Sequence, residues 1–188
     1  MPDATARPAI AVFGGSDVAP DSPEYRLAIE VGRLLADAGC TVINGGYGGV
    51  MEASARGARE RHGPTIGVTT PVLGRRGGAN PFIDTAIEEI DLFDRTRRLI
   101  ETASGFIVLP GRSGTLAELA MLWALKRAGR LEGKPIVLLG PIWDGLIRAL
   151  RTLGLVGDDE LASTRLAGDP RAAVETARRA PDGAPRRG

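Results

Sequence analysis

Five short apolar runs, separated by longer stretches of helical periodicity, constrain this chain more than any other feature. Residues 9–13, 40–43, 65–69, 105–109 and 135–139 are together rich in Ile, Val and Leu, and each is too short for a helix. Such runs read as strands buried on both faces. Residues 22–38, 50–62, 91–103, 114–128 and 144–153 carry helical patterns, and 171–180 reads as a last helix. Ser22 is placed to cap the first helix with Pro23 at its first position, and Gly39, Gly63, Gly129 and Gly154 stop successive segments. Parallel strands need crossovers, and the crossovers here are helices. The pattern predicts a Rossmann-like α/β fold: a doubly wound parallel sheet with helices on both faces. It has no internal repeat and reads as one nucleotide-binding domain over 1–180, with 181–188 as a disordered tail.

Composition narrows the function classes. A formal charge of +1 gives no global field towards nucleic acid or a membrane. No apolar run approaches the ~20 residues needed to span a bilayer, and the first residues lack a secretory pattern. The single cysteine, Cys40, excludes an internal disulfide and fits a reducing, cytoplasmic setting. No His/Cys/Asp cluster has metal-ligand spacing, and no cofactor is predicted. Only Lys126 and Lys134 are lysines among 24 basic residues, and His62 is the one histidine.

Ligands of open parallel sheets bind beyond the carboxyl ends of the strands. Three glycine turns occupy such ends: Gly14-Gly15-Ser16, Asn44-Gly45-Gly46-Tyr47-Gly48-Gly49 and Pro110-Gly111-Arg112-Ser113-Gly114-Thr115. The third leads from a strand into a helix, where free N–H groups and a partial positive charge suit a phosphate. Gly111, Gly114 and the side chains of Arg112, Ser113 and Thr115 are its candidate contacts. Equally, Thr115 and Glu118 fit a capping box at a plain strand-to-helix turn. The second turn has four glycines in six residues, more than turning alone requires. Gly45, Gly46, Gly48 and Gly49, with Glu52 just beyond, suit close approach to a ligand or to a sibling subunit. Gly14 and Ser16 of the first turn join the candidate nucleotide contacts. On the helix over 91–103, Arg95 and Arg98 are i,i+3 neighbours. They suit an anion or, on a solvated face, the pairs Asp91–Arg95 and Asp94–Arg98. Cys40, Trp123 and Trp143 read as core, the tryptophans alternatively as dimer contacts, and His62 as a helix-end residue.

Taken in order, Asn44–Ala53 (NGGYGGVMEA), Asn80-Pro81-Phe82, Arg95 and Pro110-Gly111-x-x-Gly114-Thr115-x-x-Glu118 resemble the LOG (Lonely Guy) family, the cytokinin-activating phosphoribohydrolases and their bacterial relatives. The likeness runs from about Ile10 to Leu150. It implies a Rossmann-like homodimer that hydrolyses a nucleoside 5′-monophosphate, AMP or an N6-substituted AMP, to base and ribose 5-phosphate. By the same resemblance, the Pro110–Thr115 turn holds phosphate while Arg95 and Glu118 serve catalysis. Arg112 stands where the family has a second glycine, Thr96 where many members have lysine, and Met121 where many have glutamate. Arg112 either strengthens phosphate binding or points to solvent; Thr96 and Met121 remove charge from the neighbourhood of the site.

A carboxylate beside C1′ stabilises the oxocarbenium-like sugar of glycosidic cleavage and can deprotonate a water, which assigns that work to Glu118. Arg95, always cationic, is suited to orienting the substrate and keeping Glu118 ionised. Relatives once labelled lysine decarboxylases suggest pyridoxal chemistry, but neither Lys126 nor Lys134 adjoins a glycine turn. The alternatives are a non-catalytic binder or carrier of a nucleotide or phosphorylated cofactor, and a structural dimer with vestigial turns.

Overall fold

Strand β1 (Ala9–Phe13) is buried along its whole length and lies at the centre of the sheet. The computed structural model describes residues 7–76, 78–131, 133–162 and 164–179; the tail expected at 181–188 lies outside them. Chain order continues through α1 (Pro23–Asp37), β2 (Thr41–Asn44), α2 (Val50–Glu60), β3 (Thr65–Thr69) and β4 (Thr85–Glu88). Then come α3 (Leu92–Thr102), β5 (Gly105–Val108), α4 (Ser113–Arg127), β6 (Ile136–Leu139) and α5 (Ile142–Thr152). The short α6 (Asp158–Leu161), β7 (Thr164–Ala167) and α7 (Pro170–Ala177) complete the fold.

All pairings in the described sheet are parallel, in the order β4-β3-β2-β1-β5-β6-β7. The chain winds outwards from β1 to β4, then returns to the other side of β1 with β5. The sheet therefore changes winding direction at β1, which opens a crevice at its carboxyl end. Ile10 and Val12 face a core layer with α1, α2 and α7, while Ala11 and Phe13 face a second with α3, α4 and α5. The five expected strands are all present. The two edge strands, β4 (TAIE) and β7 (TRLA), are additional; both are largely exposed and lack an apolar run.

Local chemistry explains the elements that frame the crevice. Ser22 caps α1 through Tyr25 N–H, with Pro23 behind it. Asp91 caps α3, accepting from Phe93 and Asp94 N–H at 2.7 and 2.8 Å, so it is not the i,i+4 partner of Arg95. Helices α1 and α2 cross so closely that a Cβ on Gly57 would lie 2.0 Å from Ile29 O.

Candidate active site

The three glycine turns meet around the end of β1. Gly15 N–H donates to Pro110 O at 3.0 Å, and Val50 N–H donates to Gly15 O at 2.9 Å. Gly49 has φ +65°, and an added Cβ there would stand 2.3 Å from Gly15 O, so no other residue fits the junction. Asn44, fully buried, organises the second turn: its amide donates to Met51 O and Ser54 Oγ, and its carbonyl accepts from Gly46 N–H. Asn80 of the Asn-Pro-Phe motif holds the same turn from outside, donating to Gly46 O and Tyr47 O at 3.1 and 2.9 Å.

Together the turns enclose a cavity of about 470 Å³. Val12 and Phe13 of β1 contribute to its base; Gly14, Ser16 and Gly45 come from the first two turns; Ser113, Gly114 and Thr115 from the start of α4. Helix α4 begins at Ser113 with Arg112 as N-cap and no side-chain cap. Its first N–H groups are thus open to an anion. This geometry removes the capping-box alternative, since Thr115 lies inside the helix and Glu118 in its second turn. Thr115 is buried. Arg112 does not point only to solvent: its Nη2 lies 3.0 Å from Asp17 Oδ2.

Farther in, Arg95 and Glu118 face each other. Arg95 is 7% exposed; its Nε donates to Val68 O at 2.8 Å, and its Nη1 lies 4.0 Å from Glu118 Oε1. The guanidinium carbon sits 5.6 Å from the centre of the Tyr47 ring, within cation–π range. Tyr47 is itself fixed by its hydroxyl, which donates to Thr70 O and accepts from Thr70 N–H. A Cβ on Gly45 would collide with Arg95 Nη2 at 1.7 Å, so this glycine makes room for the guanidinium. Burial pushes the Glu118 carboxyl up from 4.5 to about 7, with the positive charge of Arg95 opposing the rise. Such a group exchanges protons near neutral pH.

The remaining candidates stand around the cavity rather than on it. Gly111 lets Thr115 Oγ1 and Gly15 N approach its α-carbon. Gly46, Gly48 and Gly49 shape the second turn without lining the cavity. Glu52 accepts from the Tyr25 hydroxyl at 2.8 Å, on the α1 side of the sheet. Arg98 pairs with Glu89 at 2.7 Å, and Arg97, not Arg98, pairs with Asp94. Asp17, Tyr47, Met51, Leu73 and Leu92 line the cavity without having been predicted to. Asp17 was detectable as the residue following a glycine turn and Leu92 as part of the apolar stripe of its helix; Leu73 carried no periodic or motif clue.

Thr96 and Met121 do not line the cavity. Thr96 bonds to Leu92 O along its helix. Lys134 caps the end of α3 through Ile100 O and Glu101 O, away from the glycine turns. Cys40, Trp123 and Trp143 are buried. Among the described residues no group of three or more His, Cys, Asp or Glu could hold a metal ion, and no helix is long and apolar enough to cross a membrane.

Comparison with known proteins agrees with the motifs. The SLOG cluster4 family matches residues 7–154. A cytokinin riboside 5′-monophosphate phosphoribohydrolase of Mycobacterium marinum is 34% identical over 160 residues, covering 82% of this chain and 83% of that one. Its namesake from Mycobacterium tuberculosis is 38% identical over 124 residues, 64% of this chain and 65% of the relative. The molybdenum cofactor carrier protein of Chlamydomonas reinhardtii superposes with a TM-score of 0.67 at 25% identity, over 90% of this chain and 95% of the other.

Proposed function

This chain belongs to the SLOG cluster4 family of LOG-like proteins, and from that premise we propose that it hydrolyses the N-glycosidic bond of a nucleoside 5′-monophosphate. The substrate is AMP or an N6-substituted AMP of the cytokinin type, and the products are free base and ribose 5-phosphate. One observation carries the reading: an Arg95–Glu118 pair 4.0 Å apart shares a cavity with the uncapped start of α4. The helix start and Thr115 anchor the 5′-phosphate, which converts remote binding energy into orientation at C1′. Glu118, in its carboxylate form, stabilises the growing positive charge on the sugar and takes a proton from the attacking water. Water oxygen bonds to C1′, the C1′–N bond breaks, and its electron pair leaves with the base, which is then protonated. Arg95 orients the substrate and favours the ionised form of Glu118 against the effect of burial.

The test is incubation with a panel of nucleoside monophosphates, following free base and ribose 5-phosphate by chromatography. Release of both in equal amounts is expected; binding without release would favour the second reading, a non-catalytic carrier of a nucleotide or phosphorylated cofactor. The likeness to the Chlamydomonas carrier supports that alternative, and the Arg95–Glu118 pair weighs against it. We further propose that residues 1–180 act as one nucleotide-binding domain, in the cytoplasm, as a homodimer with no nucleic-acid or membrane partner. The dimer is supported by Leu116, 42% exposed, on an apolar groove between α4 and α5.

A further inference from the structure

At the cavity mouth, Asp17 and Arg112 reach towards each other from different turns. Asp17 follows the turn after β1, and Arg112 is the N-cap of α4. Asp17 Oδ2 lies 3.0 Å from Arg112 Nη2, with the side chains 48% and 85% exposed, and both residues line the cavity. Beneath them the two turns are joined by the Gly15–Pro110 hydrogen bond. The other Asp17 oxygen folds back over Gly15, 3.5 Å from where a Cβ would stand. The ion pair is therefore a strap from one turn to the other at the amino end of α4.

A carboxylate at the lip of an anion site opposes binding, and the opposition grows with the charge placed near it. Arg112 and Glu118 are separated by about 9 Å along the axis of α4. A nucleotide with its sugar at Glu118 and its 5′-phosphate at the helix start would direct any further phosphate past that start, towards Asp17. We propose that the Asp17–Arg112 strap is a length filter: Arg112 assists a terminal monophosphate, and Asp17 turns away the next phosphate of a di- or triphosphate. Asp17 is on this account a specificity-determining residue, resting on the nucleotide reading above. The pair is exposed, so it is weak enough to rearrange when a phosphate enters.

Calorimetric titration of the full chain with AMP and with ADP, free of divalent metal at one low ionic strength, tests the filter. The wild-type chain should bind AMP at least tenfold more tightly than ADP. Asp17→Asn keeps the size of the side chain and should narrow that ratio about tenfold, by strengthening ADP more than AMP. Arg112→Gln should weaken both ligands. An unchanged ratio in Asp17→Asn, with an unchanged melting temperature, overturns the filter, as does equal binding of AMP and ADP by the wild type. Binding of neither ligand by the wild type is a separate result: it overturns the nucleotide reading, and the filter with it.

Discussion

Glu118 is a buried carboxyl with a cationic neighbour 4.0 Å away, the pairing that burial of a charge demands. Because its charge is proposed to matter only as the oxocarbenium forms, Glu118→Gln should lower turnover while leaving nucleotide affinity nearly unchanged. The expected loss is about a hundred- to a thousand-fold, read from single-turnover rates alongside direct binding. The same residue should leave a mark on stability. Its folded value, about 7, lies above the ordinary 4.5. Across that window the folded protein keeps a proton that the unfolded chain releases, so stability falls as pH rises and levels off above about 7. The shift corresponds to about 3 kcal/mol, or roughly 6–12 °C in melting temperature for a chain of this size. Glu118→Gln lacks this slope, so its melting temperature should gain on the wild type between pH 4.5 and 7.5; parallel profiles would show that Glu118 does not titrate there. The family resemblance pointed to both Glu118 and Arg95; the Thr115-x-x-Glu118 spacing by itself read equally as a capping box. By spacing, Arg95 stands three residues after Leu92 and four before Leu99, on the stripe that α3 buries, whereas Arg97 and Arg98 are exposed. The packing of α3 beside β3 delivers Arg95 to Val68 O, and no local pattern encodes that contact.

Among the elements, the strands that pack on both faces were readable and those at the edges were not. The segments at β1, β2, β3, β5 and β6 announce themselves because burial on two sides demands Ile, Val and Leu. The edge strands β4 and β7 have no such demand, and TAIE and TRLA could equally be loop. Helix α2 starts at Val50 as read although Gly49 gives no side-chain cap, whereas α4 and α5, also without one, start one and two residues before the expected 114 and 144; the Thr115/Glu118 spacing imitated a capping box. Helices α1 and α2 cross so closely that Gly57 leaves no room for a side chain against the Ile29 carbonyl. Gly57→Ala places a methyl 2.0 Å from that oxygen, which only movement of the helix backbones can relieve. The gain in helix propensity, about 1 kcal/mol, should be outweighed by overpacking that costs roughly 1–3 kcal/mol or more. Urea denaturation should therefore show a lower midpoint at unchanged slope. A stabilised variant would mean that the helices separate freely. Val50 at the head of α2 is bonded to Gly15, so some loss of nucleotide affinity should accompany the lower midpoint.

For the whole molecule, one helix does work at both ends of the proposed assembly. The first turns of α4 carry the anion-binding start and Glu118. The same helix contributes Leu116, Ala120, Trp123 and Ala124 to a groove of about 490 Å³ completed by Leu146, Leu150 and Leu155. Leu119, Leu122 and Trp123 already give α4 its core-facing residues, yet Leu116 and Met121 remain 42% and 41% exposed, and Leu155 is 66% exposed. An apolar groove of this kind is the sort of surface on which chains associate, and the commonest such assembly is a two-fold dimer. Sedimentation equilibrium at micromolar concentration should accordingly show a dimer. Leu116→Glu places a charge in the groove without touching the buried core, so it should weaken association at least tenfold, the effect of removing one well-packed contact. Because Leu116 directly follows Thr115, the variant's nucleotide affinity should be measured on the same samples. Loss of the dimer with affinity retained would make assembly independent of the phosphate site. Loss of both would mean that the partner subunit steadies the start of α4. A wild-type chain that sediments as a monomer removes the dimer proposal and leaves the groove without a partner.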